Sequence, residues 1–235
     1  KQALEKLEQR APLGSSDMNA VLRGAWKCFD QRNTPAQCIV YIGDGISRAN
    51  ILEYEEFDAL VKGLVKAQVS VSSYAIGPDR DVHLLAAIAN HTGGMVFLDA
   101  ADTRVSQVAG TTLAGVIRKP VIWPMDSKPP KVMRESYPNI MPPLRFDRDS
   151  ILIGSLSERS ALSIKVGAVL EGKPVELQWE VQPEPSSDEY GFLPPLVEGA
   201  RKNGGLYLAT VGTTGLREMG RMIPASAENL AEIGS

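Results

Sequence analysis

The run Cys38-Ile39-Val40-Tyr41-Ile42, closed by Gly43-Asp44-Gly45, limits what this chain can become more than any other stretch. Consecutive apolar, mostly β-branched residues without polar alternation read as a strand buried on both faces, the habit of a parallel sheet. The two glycines let the backbone turn sharply, so Asp44 stands at the carboxyl end of the strand, where open α/β sheets bind their ligands. Two roles suit a carboxylate there. It can cap the helix that follows, or, with a hydroxyl nearby, it can offer oxygen to a hard divalent cation.

The surrounding pattern alternates helix and strand. Ala3 to Gln9 is a short helical end, and Pro12-Leu13-Gly14 breaks it. Ser16 or Asp17 caps a helix carrying Val21, Leu22, Ala25 and Trp26 on one face. Glu53 to Ala67 places Phe57, Leu60, Val61, Leu64 and Val65 at helical spacing. A second strand, Val69 to Ile76, stops at Gly77-Pro78; a helix with Leu84, Leu85, Ile88 and Ala89 stops at Gly93-Gly94. A third strand, Met95 to Leu98, and a helix over Val105 to Ile117 follow. This order is that of right-handed crossovers in a parallel sheet.

The periodicity changes after residue 118. Seven prolines between Lys119 and Pro143 exclude helices and central strands from that connector. Beyond it, Ser150 to Ile153, Leu162 to Val169 and Val175 to Val181 read as strands, with Glu171-Gly172-Lys173 as a hairpin turn. Phe192 to Arg201 forms a helix with Pro194-Pro195 in its first turn, Leu206 to Leu208 is extended, and Leu216 to Ile233 is a helical tail. The expected fold class is α/β, a partial doubly wound parallel sheet, plus a mainly antiparallel β domain. The divisions are 1–118 for the α/β part, 119–143 for the connector, 144–210 for the β domain and 211–235 for the tail.

Composition narrows function. A formal net charge of −3 gives no electrostatic reason to expect nucleic acid or an anionic membrane, and no apolar run is long enough to span a bilayer. Two cysteines do not make a disulfide framework, so Cys28 and Cys38 are expected as buried thiols, a bridge between them being the alternative. With His83 and His91 as the only histidines, a histidine-rich zinc site is excluded. Gly43-x-Gly45 hints at a dinucleotide turn, but Arg48 stands where a third glycine belongs. No Gly-x-Ser-x-Gly elbow appears. Arg145-Phe146-Asp147-Arg148-Asp149 reads as a solvated turn, Trp26 and Trp179 as core, and Trp123 as packing the two halves together. The chain starts at Lys1, without methionine or signal sequence, and reads as a piece of something longer.

Three segments carry a resemblance. Gly43-Asp44-Gly45, the helix end Ile88-Ala89-Asn90-His91-Thr92-Gly93-Gly94 and the upstream Gly14-Ser15-Ser16-Asp17 fall in the order found in von Willebrand factor A-type domains. The first 118 residues resemble the C-terminal half of such a domain. Tyr137-Pro138 to Gly154, with Pro142-Pro143-Leu144 within it, is similar to the small β domain of inter-alpha-trypsin inhibitor heavy-chain-like proteins.

The first resemblance implies a metal-ion-dependent adhesion site, with Mg²⁺ held by an Asp-x-Ser-x-Ser turn, a threonine and an aspartate. Carried over, Asp44 is the aspartate and Ser16 stands for the threonine, while the Asp-x-Ser-x-Ser turn has no counterpart in this sequence. The site is therefore incomplete, and little or no Mg²⁺ binding is expected from this chain alone. The implied function is a non-enzymatic protein-binding or adhesion module, outside the cytoplasm or at the cell surface, whose partner offers a carboxylate. The alternative is an enzyme or enzyme subunit binding a nucleotide or small molecule at the carboxyl edge of the sheet. If the chain starts at Lys1, the family's strand order leaves Cys38 to Ile42 with an unpaired edge, which predicts self-association as a symmetric dimer, the alternative being that the connector or the C-terminal helix folds back over that edge.

Overall fold

Strand β2 (Val69–Ala75) is buried at all seven positions, with β1 (Gln37–Gly43) along its whole length, β3 (Val96–Leu98) beside its last three residues and helix side chains packed against it. β1 and β3 pair with it in parallel, in the order β1-β2-β3. The register runs from Gln37↔Val69 to Gly43↔Ala75 and from Ser73↔Val96 to Ala75↔Leu98. These elements belong to a computed structural model that describes residues 16–29, 37–47, 54–98, 103–126, 132–206 and 208, with Gln2, Glu5, Lys6 and Gln9 before them. The expected helical end at Ala3 to Gln9 and the tail at 211–235 lie largely or wholly outside those residues.

Helices α1 (Met18–Lys27), α2 (Tyr54–Lys66) and α3 (Val82–Thr92) supply the core, where Leu22, Phe57, Leu60, Leu64 and Leu85 join Val69, Val71 and Ala75. Each helix starts or stops for a local reason. Asp17 caps α1 by accepting from Ala20 N at 2.9 Å, and Asp81 caps α3 by accepting from Leu84 N at 2.9 Å. Gly93, at φ +75°, ends α3 in the left-handed conformation. Glu55 and Glu56 in the first turn of α2 and Lys66 in its last complement the helix dipole.

The segment Thr92-Gly93-Gly94 has a structural explanation. β3 begins only opposite Ser73, so the upstream backbone of β2 needs other partners. Val71 N donates to Thr92 Oγ1 at 3.1 Å, and Ser72 Oγ accepts from Met95 N at 3.2 Å. Thr92 Oγ1 donates in turn to Ile88 O at 2.7 Å. Gly94 passes so near β2 that a Cβ would lie 1.7 Å from Val71 O, which only glycine avoids.

Helix α4 (Thr103–Ile117) leads into antiparallel structure. β4 (Ile122–Asp126), β7 (Leu162–Leu170) and β8 (Lys173–Val181) form one sheet in the order β4-β7-β8, and β5 (Met133–Tyr137) pairs with β6 (Ile153–Leu156). The β7–β8 turn has Glu171 at φ +50° and Gly172 at φ +76°, two positive values in succession as a tight hairpin favours. α5 (Leu193–Asn203), with prolines in its first turn, packs Leu196, Val197 and Ala200 near Ile153 and Leu208. The fold is thus a parallel α/β layer joined to antiparallel sheets.

Several expectations need correction. The proline-rich connector contains β4 and β5, both edge strands, where a missing N–H is tolerated. The strand expected at Ser150 to Ile153 lies at Ile153–Leu156, because Ser150 Oγ donates to Pro143 O at 3.1 Å and shapes a loop instead. Trp179 is 43% exposed rather than core, since it sits toward the open end of the β7–β8 hairpin, opposite Ile164 and beyond the packed cluster of Ile122, Val166 and Ala168. Cys28 is exposed and Cys38 half-buried, both as free thiols.

The turn from Arg145 to Asp149 is the largest departure. Arg145 is 8% exposed. It donates to Gly93 O at 3.3 Å and Val116 O at 3.2 Å, and its guanidinium grips Asp147 at 2.7 and 2.9 Å. Arg148 donates to Ala89 O at 2.7 Å and Pro143 O at 3.0 Å. The two arginines therefore serve the carbonyl ends of α3 and α4, where cations are favoured. Asn90 adds a third tie, donating to Leu208 O and accepting from Ile151 N, both at 3.1 Å. Arg145→Ala would leave Gly93 O without its donor and Asp147 without its buried partner, while Val116 O would keep Lys119 N at 3.1 Å. It is expected to lower unfolding stability by about 3 kcal/mol in urea titrations. Phe146→Ser, at a side chain 79% exposed, is expected to change it by less than about 0.5 kcal/mol.

Candidate functional site

The carboxyl end of β1 is built by its own tyrosine. Tyr41 folds back so that its Oη accepts from Gly45 N at 3.2 Å. A Cβ on Gly43 would lie 2.5 Å from that Oη, and one on Gly45 would lie 2.8 Å from Leu85 Cγ. Both glycines are therefore required by close approach, and Gly45 also by its φ of +78°. Burial raises the Tyr41 pKa, the Gly45 N–H lowers it in part, and the charge of Asp44 raises it further. Asp44 is held at both ends. Its Oδ1 accepts from Ile46 N at 2.9 Å, closing an Asx turn, and its carbonyl accepts from Asp81 N at 2.8 Å. Asp44 is thus no cap for α2, which begins at Tyr54.

Ser47 links this turn to the helix before it. Its Oγ accepts from Met18 N at 3.1 Å, at the start of α1. Ser16, exposed, lies two residues before Met18, and Asp17 between them takes the cap. The structure so brings the Asp44 turn and the start of α1 to one edge of the sheet. Ser47 was not singled out from the sequence, although its place three residues after Asp44 was a usable signal.

Among the described residues, the oxygen donors at this edge are largely engaged by the backbone. Asp17, Asp44 and Asp81 each have one carboxylate oxygen engaged by a backbone N–H, and Ser47 Oγ is engaged by Met18. Among the described residues, no three histidine, cysteine, aspartate or glutamate side chains gather where a metal ion could be held. Mg²⁺ demands near-octahedral oxygen ligation, more than the described residues of this edge are seen to gather.

Residues 1–97 match the family model for the von Willebrand factor type A domain. That span contains the Asp44 turn, the start of α1 and the Thr92-Gly93-Gly94 segment, the three places that carried the resemblance. No curated protein matches the sequence. A solved structure, von Willebrand factor type A from Catenulispora acidiphila, is 14% identical with a TM-score of 0.46, over 84% of this chain and 55% of the other. The chain thus spans little more than half the length of that structure.

A second polar feature lies away from this edge. His91, in the last turn of α3, is 5% exposed, and its Nε2 has no hydrogen-bond partner. Burial pushes its pKa down to about 4, against the backbone of Leu206 and Gly205; Arg148 lowers it further and Asp58 opposes. An unfolded histidine titrates near ~6.5, so between about pH 6.5 and 4 the unfolded chain binds a proton that the native one refuses. Stability is full above that window and falls as pH drops through it. The expected loss between pH 7 and pH 4 is about 3 kcal/mol, with His91→Gln flattening the dependence in denaturant titrations at each pH. Asp147, held at about 2 chiefly by Arg145, loses its stabilisation only below about pH 4, so the two effects separate.

Proposed function

We propose that this protein is a non-enzymatic protein-binding module that engages partners at the carboxyl edge of its parallel sheet. The observation that carries this reading is the Asp44 turn, a glycine-bounded carboxylate fixed by Tyr41, Ile46 and Asp81. It lies beside Ser47 and the start of α1, within the residues that match the von Willebrand factor type A family. Asp44 and Ser16 are the residues that would face a partner's carboxylate. A cation between them needs ligands from outside the described residues, so Mg²⁺ is expected to bind this chain weakly or not at all. The likeness of Tyr137-Pro138 to Gly154 to the small β domain of inter-alpha-trypsin inhibitor heavy-chain-like proteins supports a spacer or second interface for the antiparallel part.

The same reading includes a contact between copies. Among the described residues, β1 pairs on one side only, and its Ile42 is 61% exposed. An unpaired edge beside exposed aliphatic residues invites another strand, and two-fold closure is the commonest arrangement. Two copies of β1 would then pair antiparallel. Light scattering across a concentration series should give the dimer mass equally in EDTA and in Mg²⁺, with Ile42→Lys shifting it to monomer. A clean monomer at high concentration, or a dimer indifferent to Ile42→Lys, would contradict it.

A further inference from the structure

The sheet β4-β7-β8 is closed along one edge and open along the other. At the β4 edge Pro124 has no N–H to offer, the register shifts between Pro124 and Asp126, and Ile122 and Leu144 exchange both backbone hydrogen bonds at 2.9 Å. β8 forms the opposite edge. Among the described residues its backbone pairs with β7 alone, from Leu162↔Val181 to Leu170↔Lys173. Pro174 is its one proline, so Val175 to Val181 keep every N–H, and alternate residues turn theirs outward with their carbonyls. Such a row of unpaired groups is a template for another strand.

The two faces of β8 differ. Leu177, Trp179 and Val181 lie on the face of their partners Val166, Ile164 and Leu162. Trp179 and Val181 are 43% and 41% exposed, so the apolar face runs on past its packed part. Glu176, Gln178 and Glu180 lie on the other face and are exposed. Neither glutamate has an ion-pair partner among the described residues. Lys165 shares their face, but from β7, one strand further in. The acidity continues along the chain: residues 171–190 hold six carboxylates, Glu171, Glu176, Glu180, Glu184, Asp188 and Glu189, against Lys173 alone.

Charge decides between occupants. If two copies of β8 paired antiparallel with Trp179 opposite Leu177 of the other copy, Glu176 would fall opposite Glu180 twice, an arrangement that like charges disfavour. We propose that the β8 edge binds an extended basic segment of a partner protein, in which lysine or arginine alternates with aliphatic residues. Its backbone continues the sheet beside Val175 to Val181, its cations lie against Glu176 and Glu180, and its aliphatic side chains cover Trp179 and Val181. This interface belongs to the antiparallel part and neither uses nor depends on the Asp44 edge.

The probe is the peptide acetyl-Lys-Val-Lys-Ile-Lys-Val-Lys-amide, titrated into the whole chain labelled with 5-fluorotryptophan. The three tryptophans are followed by fluorine NMR, with Trp179→Phe assigning the signal of interest. The Trp179 signal should shift saturably while that of Trp26 stays in place. Glu176→Lys and Glu180→Lys together, both at exposed positions, should weaken binding by about ten-fold or more, and an unmoved Trp26 signal reports that this variant folds. The same peptide with glutamate in place of lysine should leave Trp179 unmoved. A peptide N-methylated at the central isoleucine and the lysine after it keeps its charge and side chains but loses a donor at each edge, and should bind about ten-fold more weakly or worse. An unmoved Trp179 signal with the probe, equal binding of the glutamate or N-methylated peptide, or unchanged affinity in the double variant would each overturn the proposal. So would a Trp179 signal that shifts with protein concentration alone, which would make a second copy the occupant.

Discussion

Helix ends present carbonyl groups short of donors, and here two arginines from a distant turn add donors at two such ends, beside the backbone N–H groups of Gly93, Gly94 and Lys119. Arg145 reaches the ends of α3 and α4 at Gly93 and Val116, and Arg148 reaches α3 at Ala89. Burying Arg148 is unfavourable, as its pKa, lowered to about 10 mainly by desolvation, records. Its bonds to Ala89, Pro143 and Ser150 offset that penalty. The antiparallel part is thereby attached to the backbone of the α/β core rather than to its surface side chains. The chain beyond α5 adds to the attachment, with Leu206 inside the α/β core and Leu208 O accepting from Asn90.

This attachment determines where each candidate site lies. α3 begins beside the Asp44 turn, through the Asp81 N–H to Asp44 O bond, and ends beneath the arginine turn. A single helix therefore runs from the carboxyl edge of the sheet to the junction with the antiparallel part. His91 stands in its last turn at that junction, beside Arg148 and Leu206. The edge site is closed by backbone geometry, with glycines at 43 and 45 making room for Tyr41 and Leu85.

Elements decided by local periodicity were legible in the sequence. The strands around Ile39, Val71 and Val96, the spacing of Phe57, Leu60 and Leu64, and the Glu171-Gly172 turn all follow from neighbours within a few positions. The placement of Asp44 at the carboxyl edge was legible for the same reason. Interactions across the chain were not. Arg145 lies 52 residues from Gly93, and Arg148 lies 59 from Ala89, so alternating charges looked like a solvated turn. Trp179 shares a strand face with Leu177, and alternation cannot tell how far a neighbouring layer extends along that face. The bond from Met18 N to Ser47 Oγ spans 29 residues and is encoded by no local pattern, although the place of Ser47 three residues after Asp44 was a usable signal.

The central claim is that the arginine turn makes the α/β layer and the antiparallel sheets one cooperative unit. Differential scanning calorimetry tests it most directly. For the unaltered chain, a single transition is predicted, with calorimetric and van't Hoff enthalpies in agreement. In a chain carrying Arg145→Met and Arg148→Met together, that transition is predicted to split in two. Two independent transitions in the unaltered chain, or a double variant that still melts once at the unaltered midpoint, would contradict the account.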